Sequence, residues 1–332
     1  MTENNYNTTD SQNPTDSNAM KHPKVAIVLP CYNEEEVLPL TYERLQKIVV
    51  ELSKEDVQTY LVFVDDGSKD TTWQLIDQMC KKDSHVCGIK LSRNVGHQRC
   101  VWAGLSETME KFDAMISIDA DLQDDEYTII DMVHQFKDGC DVVYGVRKQR
   151  TTDSFFKRWS AQMFYKLMRQ ADSDIIYNHA DYRLMSQRAT KALMQYPERN
   201  LFLRGMVRKI GFKEGFVYYD RKEREAGTTK YPLSKMIRLS FDGITSFSVA
   251  PLQFITVVGL AMMFISAIAI IWAIYEYVKD HTIQGWTSIL VSLWFIGGVV
   301  TTALGVIGIY IGKIYAEVKR RPHYFVDRSL NL

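Results

Sequence analysis

Two stretches without a charged side chain, between Asp242 and Glu276 and between His281 and Lys313, most constrain this chain. Each is long enough for a helix of about 20 apolar residues to cross a bilayer. The apolar runs are Pro251 to about Tyr275 and about Thr287 to Ile311, with Trp272, Tyr275, Tyr277, Trp286 and Tyr310 near their ends, where interfacial aromatics belong. Gly297, Gly298, Gly305, Gly308 and Gly312 would let helices pack closely. A buried hairpin in a soluble protein is the competing reading. Lys235 and Arg238 precede the first run, and Lys313, Lys319, Arg320 and Arg321 follow the second. The loop between them holds only Glu276, Lys279, Asp280 and His281. The bias of basic residues places both flanks, and the large N-terminal part, on the cytoplasmic side. Residues 250–312 therefore read as a two-helix transmembrane anchor in the plasma membrane, and 313–332 as a cytoplasmic C-terminal tail.

The rest of the chain alternates strand and helix patterns. Residues 1–22, rich in Asn, Thr, Ser and Asp, read as a disordered tail with no signal-peptide pattern. Val25–Leu29, Leu61–Val64, Val86–Leu91, Ala114–Ile118 and Val142–Tyr144 are short apolar runs that predict strands. Helical spacing runs from Glu34 to Leu52 and from about Thr71 to Cys80, with another helix between Leu91 and Ala114. Strands alternating with helices through short loops predict a parallel sheet covered on both faces, with ligands beyond the carboxyl ends of its strands. The polar clusters Cys31–Glu35, Asp65–Ser68 and Asp119–Asp124 each follow a strand directly, as residues of one shared site would.

Asp119-Ala120-Asp121 carries the most specific chemistry. Two carboxylates at one strand end repel each other unless a cation sits between them. Mg²⁺ or Mn²⁺, hard ions that share oxygen ligands with substrate phosphates, are the usual solution. A solvated turn is the plain alternative for the motif on its own. Asp65-Asp66-Gly67-Ser68 reads both as a turn with a helix cap and as a ligand-facing loop.

Lys+Arg and Asp+Glu both number 40, so net charge gives no case for a nucleic-acid partner, and no basic and aromatic stripe supplies one. The five cysteines are scattered without a Cys-x-x-Cys pair and read as reduced, buried thiols of a cytosolic domain. No Gly-x-Gly-x-x-Gly follows the first strand, which excludes a nicotinamide-dependent Rossmann enzyme.

Val25-Ala26-Ile27-Val28-Leu29-Pro30-Cys31-Tyr32-Asn33-Glu34-Glu35 resembles the opening of family 2 glycosyltransferases, as do Val64 to Thr72 and Asp119-Ala120-Asp121. Leu91 to His97, Tyr144-Gly145-Val146-Arg147, Asp181-Tyr182-Arg183-Leu184 and Leu203-Arg204-Gly205 narrow the resemblance to the polyprenyl-phosphate glycosyltransferases, the group of dolichyl-phosphate mannose synthase and bactoprenol glucosyltransferases. The Gln-x-x-Arg-Trp motif of processive polysaccharide synthases is absent. The resemblance covers essentially everything after Lys24. It implies an α/β fold: a GT-A-type, Rossmann-like nucleotide-sugar-binding domain over residues 23–231, followed by the two C-terminal transmembrane helices.

The resemblance also implies roles. Asp119, Asp121 and Gln123 would hold Mg²⁺ or Mn²⁺ on the donor diphosphate, with Asp121 the more direct ligand. Pro30, Tyr32, Asn33, Glu35, Asp65, Asp66, Asp119 and Ala120 would line the donor pocket, and Tyr32 could stack on the base. A polyprenyl phosphate acceptor is already anionic near neutral pH, since its second ionisation lies near pKa ~6. It needs cations for in-line attack more than it needs a base. Arg147, Arg204, Arg224 and Lys230 are expected to bind it, because the guanidinium fork matches phosphate oxygens. Asp181 aligns with a residue proposed as base in the family, and the acceptor chemistry favours a positioning role instead. His97 is expected to cap a helix near the donor, with no metal role.

Arg221–Ser234 fits a lid hinged at Gly227, and residues 232–249 an amphipathic interfacial helix, with a core-facing helix as its rival. The expected reaction is inverting transfer of one sugar, glucose or N-acetylglucosamine, from a nucleotide donor (a UDP-sugar favoured) to undecaprenyl phosphate at the cytoplasmic face. Mannosyl transfer from GDP-mannose, another lipid acceptor such as a diacylglycerol, and a silent membrane partner that binds nucleotide sugar are the alternatives. The family also implies a homo-oligomer.

Overall fold

The computed structural model describes residues 22–121, 123–148, 179–199, 201, 203–220 and 285–332, with single positions between 252 and 275. The expected tail before His22, the lid, the amphipathic helix at 232–249, Arg224 and Lys230 lie outside them.

The strands are β1 (Lys24–Cys31), β2 (Gln58–Asp65), β3 (Val86–Leu91), β4 (Ala114–Ser117), β5 (Val142–Arg147), β6 (His179–Ser186), β7 (Glu214–Tyr219) and β8 (Val326–Leu330). The helices are α1 (Leu38–Ser53), α2 (Thr72–Lys82), α3 (His97–Thr108), α4 (Thr128–Lys137), α5 (Gln187–Met194), α6 (Leu203–Lys209) and α7 (Trp286–Lys319). One sheet runs β7-β5-β6-β4-β1-β2-β3-β8. The chain steps outward from β1 to β2 and β3, then returns to place β4 on the other side of β1. That reversal between β1 and β4 opens a crevice at their carboxyl ends, the usual ligand position in such sheets.

The expected purely parallel sheet is corrected to a mixed one. Strands β1 to β4 are mutually parallel, but β6 runs antiparallel between β4 and β5, and β8 runs antiparallel along β3. Strand β6 brings Asp181 back beside the end of β4: Ser117 pairs with Arg183, and the Ser117 hydroxyl donates to the Asp181 carbonyl at 2.7 Å.

Alternation along β1 divides the core. Val25, Ile27 and Leu29 face α1, α2 and α4, while Ala26 and Val28 face α3, α5 and α6. All five are fully buried, as strands covered on both faces require. Helix α3 packs unusually close to the sheet, because Gly104 replaces a side chain there. A Cβ at Gly104 would meet Val28 Cγ1 at 2.3 Å and Val64 Cγ2 at 2.9 Å.

Among the described residues, one helix is long and apolar enough to cross a membrane, over Phe295–Lys319. The described positions between 252 and 275 are helical, and the first expected span is otherwise outside the described residues. Residues 313–332, expected as a tail, form the end of α7 and then β8. Arg320 in the left-handed conformation (φ 46°) terminates the helix, and β8 extends the sheet. Asn331 Nδ2 then donates to the carbonyls of Cys80 at 2.7 Å and Val86 at 2.9 Å.

Candidate active site

Two loops at the carboxyl ends of β1 and β2 are laced together. The Asn33 N–H donates to Ser68 Oγ at 3.0 Å, and Asn33 Oδ1 accepts from the Lys69 N–H at 2.9 Å. Asn33 can do both because it adopts the left-handed conformation (φ 53°), which asparagine tolerates better than most residues. The Glu34 N–H donates to Thr72 Oγ1 at 2.9 Å. Glu35 Oε2 accepts from the Thr71 N–H and hydroxyl at 3.0 and 2.6 Å, tying down the start of α2. Asn33 and Glu35, expected as donor ligands, thus make hydrogen bonds that hold the two loops together. Pro30 and Tyr32 lie on the same rim, with Tyr32 exposed, and the Ala120 carbonyl accepts from the Thr41 hydroxyl at 2.8 Å.

Asp65 and Asp66 are both buried, and burial pushes both carboxyls up. Asp66 accepts from the Val95 and Gly96 N–H groups at 2.7 and 3.0 Å, fixing the entry to α3. Gly67 permits the crossing of the two loops. Its φ is +66°, and a Cβ there would meet the Arg93 carbonyl carbon and the Asn94 nitrogen at 2.7 Å. Asp65 Oδ1 accepts from the Ser68 N–H at 3.1 Å, whereas its buried Oδ2 has no hydrogen-bond partner among the described residues. Such an oxygen suits an N–H or O–H donor on a ligand.

Asp119 follows β4 into the crevice, with its side chain 39% exposed. Asp121 Oδ1 accepts from the Gln123 N–H at 3.2 Å, which folds the motif back on itself. Among the described residues no group of three or more His, Cys, Asp or Glu is arranged to hold a metal ion. Asp119, Asp121 and Gln123, expected as metal ligands, would leave an ion to take its remaining ligands from phosphate and water. Desolvation raises the Asp119 pKa, His97 opposes that, and Asp124, Asp181 and Asp121 add to it. This local excess of negative charge is what a divalent cation would relieve.

Across the crevice, Asp181 is clamped by two arginines. Arg204 Nε and Nη2 donate to its two oxygens at 3.1 and 3.0 Å, and Arg183 Nη2 donates at 2.7 Å. Burial pushes the Asp181 carboxyl up, but Arg204 and Arg183 outweigh it and hold the group far below the usual carboxylate range. It therefore stays ionised and holds a proton poorly. His97 Nε2 lies 3.6 Å from Asp119 and 3.8 Å from Asp181, so one ring spans the gap between the two carboxylates. Its position follows from the fold: Gly96 caps α3 at φ +89°, and the first residue of the helix points into the crevice.

Arg147, at the end of β5, is held separately. Its Nη2 donates to Asp124 at 3.0 Å and its Nε to the Tyr219 hydroxyl at 3.3 Å, while that hydroxyl donates to Asp124 at 2.6 Å. Burial works against the Arg147 charge, but Asp124 and Tyr219 keep it protonated. The structure thus places Asp65, Asp66, Asp119, Asp121, Gln123, Arg147, Asp181 and Arg204 at the carboxyl end of the sheet. Sequence reasoning missed the roles of Arg183 and Tyr219 and the bridging position of His97, and had Asp124 only as the end of the Asp119–Asp124 cluster. The one signal for Arg183 is its place in the Asp181-Tyr182-Arg183-Leu184 motif.

The profile of Glycosyl transferase family 2 matches residues 26–211. The chain is 50% identical over 311 residues, 93% of its own length and 92% of the relative's, to a Bacillus subtilis (strain 168) protein named "Uncharacterized glycosyltransferase YkoT". It is 38% identical to the "Prophage bactoprenol glucosyl transferase homolog" of Escherichia coli (strain K12), covering 92% of this chain and 99% of that one. It is also 38% identical to the "Bactoprenol glucosyl transferase" of Shigella phage SfII, covering 92% and 98%.

Proposed function

The chain belongs to Glycosyl transferase family 2, and from that premise we propose that it transfers a single sugar from a nucleotide-sugar donor to a polyprenyl phosphate, with inversion, at the cytoplasmic membrane face. The observation that carries this reading is the pairing of two halves in one crevice. Asp65, Asp119 and Asp121 stand on one side, and the arginine-clamped Asp181 on the other. The names of the bactoprenol relatives support a polyprenyl phosphate acceptor and make glucose the first sugar to test.

On the donor side, Asp65 Oδ2 would accept from the base or ribose, and Tyr32 would cover the base. Asp119, Asp121 and Gln123 would hold Mg²⁺ or Mn²⁺, which when bound neutralises the diphosphate as the nucleotide departs. On the acceptor side, Arg204 and Arg147 are held at fixed angles by Asp181 and by Asp124 with Tyr219. Guanidinium groups fixed in this way can receive a phosphate without reorganising. The lid at Arg221–Ser234, with Arg224 and Lys230, would complete the site and exclude water.

The sheet supports a two-span anchor. Strand β8 pairs with β3, which supports the reading that the segments flanking the apolar region lie on one side of the membrane. On that reading α7 and the apolar run before it would be the two crossings.

The test uses the full chain in detergent with undecaprenyl phosphate and a panel of labelled UDP-glucose, UDP-N-acetylglucosamine and GDP-mannose. Label extracted into organic solvent with one donor supports the reading and names the sugar. Nucleotide binding without lipid label from any donor overturns the acceptor assignment.

A further inference from the structure

The loop leading into α6 is held from three directions. The Leu203 carbonyl accepts from Arg183 Nη1 at 3.2 Å, and the Leu203 N–H donates to Gln98 Oε1 on α3 at 3.0 Å. The third tether comes from the last turn of the membrane-directed helix. Both carboxylate oxygens of Glu317 accept from the Arg199 N–H, at 2.9 and 2.7 Å. Arg204, which grips Asp181, is the second residue of α6.

The junction beyond Glu317 is also packed rather than draped. The His323 ring lies 5.3 Å from the Trp102 ring on α3. Burial, with Arg199 and Arg99 nearby, lowers the His323 pKa to about 4, so the ring is neutral at pH 7. The Tyr324 hydroxyl donates to Glu107 at 2.8 Å, and the Ser92 N–H to the Phe325 carbonyl at 3.0 Å. The end of α7 is thereby anchored on the same helix, α3, that carries His97 into the crevice. A charge-assisted hydrogen bond to a backbone N–H is about twice as strong as a neutral one. This one holds the Arg199 backbone itself rather than a side chain.

We propose that Glu317 is a positioning residue that ties the end of the membrane-directed helix to the acceptor-side arginine Arg204, so that capture of the acceptor phosphate depends on the docking of α7. Among the described residues, Asp65, Asp66 and the β1–β2 loops are held by hydrogen bonds other than this tether. The proposal rests on the reading of Arg204 as an acceptor ligand. It predicts a defect confined to the acceptor.

The experiment compares the full-length wild type with Glu317→Ala and Glu317→Gln in lipid nanodiscs. Glu317→Ala should raise the KM for undecaprenyl phosphate about tenfold, the scale of one lost charge-assisted hydrogen bond, and leave UDP affinity within about twofold. Glu317→Gln keeps an acceptor oxygen and should recover most of the loss. Hydrogen exchange provides a readout independent of turnover: residues 199–209 should exchange about tenfold faster in Glu317→Ala, while β1–β4 stay protected. Unchanged exchange over 199–209 overturns the tether, as does a parallel loss of UDP binding and of protection in β1–β4. If the wild type transfers no sugar to the lipid but the exchange effect appears, the functional reading fails and the tether stands.

Discussion

Arg204 grips Asp181 through two parallel hydrogen bonds of 3.1 and 3.0 Å, while Arg183 takes the same carboxylate from the buried side at 2.7 Å. A carboxylate held by two guanidiniums is a poor proton acceptor and a good scaffold. On the proposed function the acceptor phosphate is already ionised and does not ask for a base, and Asp181 would act by setting the angle of Arg204.

Asp181→Asn should raise the acceptor KM and leave UDP binding intact. The pH midpoint of the transfer rate should not move, because it follows the acceptor phosphate near pKa ~6 and not Asp181. Stability carries its own sign. The native pKa is depressed, so the ion-paired carboxylate stabilises the fold above the unfolded value of about 4 and loses that contribution as pH falls below it. Thermal melts between pH 3 and pH 7 should show a weaker acid dependence in the Asn variant. At pH 7 that variant should be about 3 kcal/mol less stable, mostly from leaving Arg183 buried without its carboxylate.

Gly104→Ala should destabilise the protein, although alanine is the better helix former by about 1 kcal/mol. The new methyl would overlap Val28 Cγ1 and force α3 off the sheet, at about 1–3 kcal/mol net. Since α3 carries His97, transfer should fall as well. A variant with unchanged Tm would contradict the close packing.

The strands legible in the sequence are those with the plainest chemistry. Val25–Leu29, Leu61–Val64, Val86–Leu91 and Ala114–Ile118 are apolar runs because both of their faces are covered. The clusters behind them were readable because a carboxylate directly after a buried strand sits at the carboxyl edge of the sheet, where ligands bind. Strand β6 was not readable: it carries Arg183 into the interior, and a buried arginine breaks the apolar pattern. Strand β8 is exposed along Val326–Ser329, so periodicity gave no sign of it, and its pairing with β3 is visible only once the sheet exists. The bridge from His97 to Asp119 and Asp181 depends on three elements distant in sequence. Spacing along the chain cannot show it.

Tyr219→Phe removes the hydroxyl that donates to Asp124 at 2.6 Å and accepts from Arg147. A hydrogen bond to a charged, buried partner contributes about 1.5–3 kcal/mol, and stability should fall by that order. Acceptor-dependent turnover should drop further than UDP binding, because Arg147 loses one of its two holds. Equal loss of both would argue against an acceptor role for Arg147.

The four buried thiols, Cys31, Cys80, Cys87 and Cys100, should be inert in the native protein. Burial pushes Cys80 up to about 12 and Cys87 to about 11, and raises Cys31 and Cys100 well above the ordinary thiol range. Native protein treated with iodoacetamide at pH 8 should gain at most one adduct, at the half-buried Cys140, counted by intact mass. Denatured protein should gain five, one for each cysteine. Rapid native labelling of Cys31 or Cys100 would contradict the packing around β1 and α3.

Label transfer from UDP-glucose to undecaprenyl phosphate, by wild type and by Asp121→Ala, with Mn²⁺ or Mg²⁺ and after EDTA, probes donor and acceptor together. Wild type with metal should yield lipid-soluble label. Asp121→Ala and EDTA treatment should each lower transfer by at least about a hundredfold, the scale of removing one electrostatic stabiliser of the departing group. Full transfer by Asp121→Ala, or undiminished transfer in EDTA, would contradict the assignment of the donor site.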